Sequence, residues 1–231
     1  MVDTKIAMKN RIGRVFDIAF PGLRRSLQTS KILAVNQGQW RSFLSRAALN
    51  ANGEPIPWYT YPAIEYLNSF DFSDCDIFEF GAGYSSMYWA TRGRSVISVE
   101  DTESWYEVVK KNLKANQSII YRANEQAYVR ALAEQQRGFD IIVIDGSHRP
   151  GCTLAAIEGL QDNGFILLDN SDRVVERECG KLLRHNGFFQ VDFSGFGPIN
   201  DYCWSTSLFF KNSSDFSAKF FGPMPIGGLT N

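Results

Sequence analysis

Apolar residues fall along this chain in short unbroken runs, separated by stretches with helical spacing. Ile141-Ile142-Val143-Ile144 is such a run, and Phe165-Ile166-Leu167-Leu168 is another. A strand that is apolar at every position is buried on both faces, as parallel sheets with helical cover require. The pattern predicts strands near 76–80, 95–99, 118–121, 139–144 and 164–168. Helices are predicted near 84–92, 103–115, 124–137, 151–161 and 173–185. In the helix after Asp101, the positions of Trp105, Val108, Val109 and Leu113 describe one buried face. Upstream, residues 4–20 predict a short helix stopped by Pro21-Gly22, and a second helix is expected over 38–50. Pro62 suits the first turn of a helix running to about Phe70.

The alternation breaks near the end of the chain. Phe188–Phe193 and Tyr202–Phe210 are apolar runs joined by Ser194-Gly195-Phe196-Gly197-Pro198, with no room for a helix. Strands linked so briefly pair antiparallel. The expectation is one α/β domain over 55–211, a basic helical extension over 1–54 and an irregular tail over 212–231.

Composition supports a folded domain: 44% of residues are hydrophobic and 14% aromatic, with eighteen phenylalanines to fill a core. Net charge is −1, but residues 1–46 carry nine Lys/Arg against Asp3 and Asp17, so the extension is +7 and the remainder −8. Such an arm can meet an acidic partner, a membrane surface or a second subunit of a homo-oligomer, or pack on the acidic body. Cys75, Cys152, Cys179 and Cys203 are widely spaced with no Cys-x-x-Cys pair, which predicts reduced thiols and a cytoplasmic location. No apolar run approaches a membrane span of roughly 20 residues, and no signal peptide is evident.

The candidate chemistry starts at Asp76-Ile77-Phe78-Glu79-Phe80-Gly81-Ala82-Gly83-Tyr84-Ser85-Ser86. A buried strand ends in an acid, turns on two glycines and enters a helix. Glycines let the backbone turn tightly and come close to a ligand. Glu100 ends the next strand, where a carboxylate can accept from both ribose hydroxyls. Two cofactor classes use this geometry. A dinucleotide site needs a third glycine, and Ser86 stands there instead. Glu79, two residues before the first glycine, suits a cationic ligand better than a diphosphate.

With these residues the chain resembles the class I S-adenosylmethionine-dependent methyltransferases over about residues 55–211. The resemblance implies a Rossmann-like fold, with a seven-stranded, mostly parallel sheet closed by an antiparallel C-terminal hairpin. It implies that Glu79, Gly81, Ala82, Gly83 and Ser85 line the methionine part of the cofactor and Glu100 holds the ribose. By the same resemblance Thr60 or Tyr61 contacts the methionine carboxylate, Glu125 meets the adenine amino group and Asp145 also borders the cofactor. A nicotinamide-dependent oxidoreductase and a non-catalytic cofactor-binding scaffold are the rival readings.

The pattern Ile144-Asp145-Gly146-Ser147-His148, followed by Leu168-Asp169-Asn170, is similar to cation-dependent O-methyltransferases of the catechol type. It is closer still to a bacterial group with an Asp-Gly-x-His motif, some of which methylate sugar hydroxyls. Carried over by position, Asp145, Asp169 and Asn170 would bind Mg²⁺ or another divalent cation, and His148, with Asp145, would be catalytic. Hard oxygen donors at neighbouring strand ends suit such an ion. Histidine titrates near neutrality and can accept a hydroxyl proton. Asp145 is not followed by the Pro-Pro-aromatic sequence of many amino-group methyltransferases, which tilts the acceptor toward the hydroxyl of a small molecule or sugar.

Overall fold

The computed structural model describes residues 20, 22–211, 219–223 and 225–228. Apart from Phe20, the helix expected over 4–20 lies outside these residues. The described chain opens with α1 (Leu23–Lys31), which has no counterpart among the expected elements and buries none of its residues. A wider π-helical turn follows over Ile32–Asn36, and then α2 (Gln39–Ser45) and α3 (Tyr61–Leu67). Pro62 sits in the first turn of α3, where its missing N–H costs no hydrogen bond.

Strands and helices then alternate as expected. After the short β1 (Phe70–Asp71) come β2 (Asp76–Phe80), α4 (Tyr84–Ala90), β3 (Ser95–Glu100), α5 (Glu103–Lys110) and β4 (Gln117–Tyr121). Next are α6 (Glu125–Arg130), β5 (Phe139–Ile144), α7 (Arg149–Gly159), β6 (Leu160–Leu168) and α8 (Val174–His185). The hairpin strands are β7 (Phe188–Gly195) and β8 (Trp204–Lys211).

One seven-stranded sheet runs in the order β4-β3-β2-β5-β6-β8-β7. Within it β8 is antiparallel to both neighbours, and the other strands share one direction. Side-chain alternation divides the core between the two faces. Ile77, Ile141 and Val143 pack with Tyr59, Phe72 and Trp89 on one side, whereas Phe78, Phe80, Ile142 and Ile144 pack with Tyr128 and Phe139 on the other. Glu79 shares the first face and is fully buried there.

Hydrogen bonds join the segment before the sheet to the closing hairpin. Gln39 Nε2 donates to the Gly197 carbonyl at 2.9 Å, the Tyr61 N–H to that of Phe196 at 2.7 Å, and the Thr60 N–H to Thr206 Oγ1 at 3.0 Å.

Two expectations are corrected. The tail is not wholly irregular, because β9 (Lys219–Phe220) pairs antiparallel with β1 and sets the Phe220 ring 5.0 Å from that of Phe70. The buried face expected of α5 also shrinks: Val109 is buried, but Val108 is 46% and Trp105 37% exposed. The apolar spacing there reflects a second demand on Trp105, which reaches over the glycine turn.

Candidate active site

Parallel neighbours β2 and β5 end side by side at Phe80 and Ile144, so the turns that follow them are forced together. Gly81 has φ +96°, and a Cβ built on it would lie 2.6 Å from Gly146 Cα. A Cβ on Gly146 would lie 2.7 Å from Gly81 Cα and 2.2 Å from Tyr128 Oη. Only a glycine on each side allows this backbone contact. The sequence pointed to Gly81; Gly146 could be recognised only once the register of β2 on β5 was known.

Glu100 fastens the turn from the other side. Its Oε2 accepts from the Ala82 N–H at 3.0 Å and its Oε1 from the Thr102 N–H at 2.9 Å. Burial raises its pKa. Trp105 Nε1 donates to the Ala82 carbonyl, so its indole covers the turn. Gly81, Ala82, Gly83, Ser85 and Glu100 line a cavity of about 480 Å³ together with Asp145, Arg149, Asp169 and Asn170. Trp58, Arg173, Asn200 and Tyr202 complete the lining.

Glu79 lies within the fold beside this cavity rather than on its wall. Its Oε2 accepts from Ser98 Oγ at 2.8 Å and from Ser86 Oγ, while Oε1 has no hydrogen bond. Burial pushes its pKa up to about 7, against the pull of the serine hydroxyls. The folded state therefore keeps a proton that the unfolded chain, with an ordinary value of 4.5, releases. That contribution is fully present below 4.5 and is lost as pH rises to about 7. Between these limits Glu79→Gln should flatten the fall in stability of the ligand-free protein, by at most on the order of 3 kcal/mol. Urea melts at pH 5 and 7.5 check this; equal losses in wild type and variant would clear Glu79 as the source.

Asp145, Asp169 and Asn170 do come together, but not as an open set of metal ligands. The Arg149 guanidinium lies among them: Nη2 is 3.3 Å from Asp145 Oδ1 and 3.2 Å from Asn170 Oδ1, and Nη1 donates to the Asp169 carbonyl. Asp169 Oδ1 accepts from Trp204 Nε1 at 3.0 Å and from Thr206 Oγ1 at 2.5 Å. Among the described residues no group of three or more His, Cys, Asp or Glu is placed to hold a metal. The structure gives the expected divalent-cation site no support: Asp145 Oδ1 and Asn170 Oδ1 face Arg149, and Asp169 Oδ1 faces Trp204 and Thr206. Burial, with Asp169 as its neighbour, raises the Asp145 pKa well above the carboxylate range while Arg149 opposes the rise. Burial likewise lifts Asp169 to about 6, against its bonds from Thr206 and Trp204. Asp145 Oδ2 is left without a hydrogen bond among the described residues.

Four other expected residues stand off the cavity. His148 is in the left-handed region at φ +54° and points between Asp101 and Glu125, each 3.6 Å away, with its ring against Tyr128. It does not border the cavity, so the structure gives it no route to an acceptor there. Glu125 is two-thirds exposed beside it. Thr60 is fully buried, with its hydroxyl donating to the Phe193 carbonyl at 2.8 Å. Tyr61 lines a separate cavity with Arg92 and Lys114. From that loop it is the indole of Trp58, 45% exposed, that reaches the candidate site.

No family model matches the sequence, nor does any curated protein. Solved structures do. A provisionally identified O-methyltransferase from Klebsiella pneumoniae superposes with a TM-score of 0.53 at 18% identity, over 88% of this chain and 97% of that one. The precorrin-6y C5,15-methyltransferase of Geobacter metallireducens gives 0.51 at 14% identity, over 65% and 88%. With the strand order and the reversed β8, this decides the architecture. The chain has the class I methyltransferase fold. In that fold the glycine turn after β2, Glu100 at the end of β3 and Asp145 after β5 all lie at the carboxyl ends of the strands, where open α/β sheets bind their ligands.

Proposed function

We propose that this chain is an S-adenosylmethionine-dependent methyltransferase that methylates a hydroxyl oxygen of a small molecule or sugar, with Asp145 as the proton acceptor. The observation that carries the reading is the convergence on one cavity of the glycine turn, Glu100 fastened to that turn, and Asp145 with a free oxygen. Two buried carboxylates with raised pKa values, Asp145 and Asp169, line this cavity, and a third, Glu79, lies buried beside it. A ligand bearing positive charge relieves them, whereas a diphosphate opposes them. That favours a sulfonium cofactor over a nicotinamide dinucleotide.

When bound, the cofactor supplies a methyl group on a positively charged sulfur. Glu100 accepts hydrogen bonds from the ribose hydroxyls while holding the Ala82 N–H, which keeps the glycine turn in shape. Trp58 and Tyr202 offer exposed aromatic faces for the acceptor. The unbonded Oδ2 of Asp145 would accept the proton of an acceptor hydroxyl held against the cofactor's methyl group, and burial raises its pKa in the direction of a stronger base.

Calorimetry tests the cofactor. Micromolar binding of S-adenosylhomocysteine, with none of NAD(P), is the expected result, and the reverse would reject the reading. Glu100→Ala should weaken that binding by about 1.5–3 kcal/mol, the loss of a charge-assisted bond. An affinity unchanged in this variant would place the ribose elsewhere.

A further inference from the structure

Asp145 and Asp169 follow adjacent parallel strands, with Asn170 next to Asp169, and two carboxylates brought so near ordinarily need a cation or a proton to coexist. The chain provides a cation. Arg149 enters from the first turn of α7, its side chain only 11% exposed. Nε donates to the Gly146 carbonyl at 3.0 Å and lies 3.6 Å from Glu176 Oε1. Nη1 donates to the Asp169 carbonyl, and Nη2 faces Asp145 Oδ1, the Asp145 carbonyl and Asn170 Oδ1 at 3.2–3.3 Å.

We infer that Arg149 is a built-in replacement for a divalent cation: it fills the space between Asp145 and Asn170, excludes a metal ion and positions the Asp145 carboxylate. The planar fork matters as much as the charge. Guanidinium presents five N–H donors in a fixed plane: Nε reaches the Gly146 carbonyl, Nη1 the Asp169 carbonyl, and the two N–H of Nη2 are shared among Asp145 Oδ1, the Asp145 carbonyl and Asn170 Oδ1. An ammonium group has three donors on a flexible stem and cannot span them all. Arg149 is thus a positioning residue, acting on the acceptor through Asp145.

The test is Mn²⁺ binding followed by electron paramagnetic resonance, on the full chain. Wild type should leave the free-ion signal unchanged, and its turnover should survive excess chelator. Arg149→Ala removes the fork and uncovers the oxygens of Asp145, Asp169 and Asn170. It should acquire saturable Mn²⁺ binding that Asp145→Asn, added to it, abolishes. Arg149→Lys restores charge without the fork and should recover cation exclusion but only part of the rate. Saturable binding by wild type that Asp145→Asn removes would overturn the inference, as would silence in the Arg149→Ala protein. If that variant fails to fold, the wild-type titration and the lysine variant still decide. Binding of S-adenosylhomocysteine in the same samples reports on the methyltransferase reading separately, so the two can fail independently.

Discussion

Replacing Asp145 with asparagine should nearly stop methyl transfer while the cofactor binds almost as before. Asparagine keeps the shape and can still accept from Arg149 Nη2 through its amide oxygen, so the loop between β5 and α7 stays in place. What it lacks is the capacity to take a proton. General bases contribute typically 10²–10⁴-fold, and the rate should fall by about that range. Affinity for S-adenosylhomocysteine, measured by calorimetry, should change little, because the glycine turn and Glu100 are untouched. The variant should also resist heat somewhat better near neutral pH, since a buried carboxylate facing Asp169 has been removed. A rate within tenfold of wild type would remove Asp145 from the role of base. An equal loss of cofactor affinity would make it a cofactor ligand instead.

Gly81→Ala should do its damage through the backbone. At φ +96° an L-residue costs roughly 1–2 kcal/mol relative to glycine. The added methyl group would also press on Gly146 at 2.6 Å, and forced overpacking costs about 1–3 kcal/mol more. For a chain of this length that is a drop in Tm of roughly 5–15 °C. Cofactor binding should fall with it, because the turn cannot shift without pulling the Ala82 N–H from Glu100. Calorimetric melting and S-adenosylhomocysteine titration measure the two effects. A Tm lowered by less than about 2 °C would mean that the two turns part easily and that their contact is incidental.

What the sequence disclosed and what it concealed follow from the range of the interactions. Strands β2, β3 and β5 could be read to within a residue because β2 and nearly all of β5 are buried on both faces, and β3 ends in three buried residues. The hairpin was legible from the shortness of its loop. Gly81, Glu100 and Asp145, which line one cavity, could be singled out because strand ends carry a local signature, an acid or glycine after an apolar run. Arg149 was missed for the opposite reason: its partners are the carbonyls of Gly146 and Asp169 and the amide oxygen of Asn170, and two of these lie twenty residues away. Nothing in Ser147-His148-Arg149 distinguishes a cavity residue from its neighbour. His148 looked the better base by its chemistry, but its left-handed backbone turns it toward Asp101 and Glu125. Trp105 was taken for core because apolar spacing marks a face without saying what covers it. Thr60 and Tyr61 lie two and three residues past Trp58, the residue of that loop that lines the cavity.

The hydrogen bonds from Trp204 and Thr206 to Asp169, and those from Gln39, Thr60 and Tyr61 to the hairpin and its loop, give the site a history as well as a shape. During synthesis the glycine turn, Glu100 and Asp145 all emerge within the first 145 residues and can meet their strand partners at once. Asp169 waits for residues 204–206, and the segment carrying Trp58 waits for them too. At roughly 5–20 residues per second, the glycine-turn side of the cavity precedes the hairpin side by several seconds on the ribosome. A nascent chain caught in that interval would hold the glycine turn fastened by Glu100, and Asp145 beside it, while the part of the cavity wall that depends on the hairpin is still unmade.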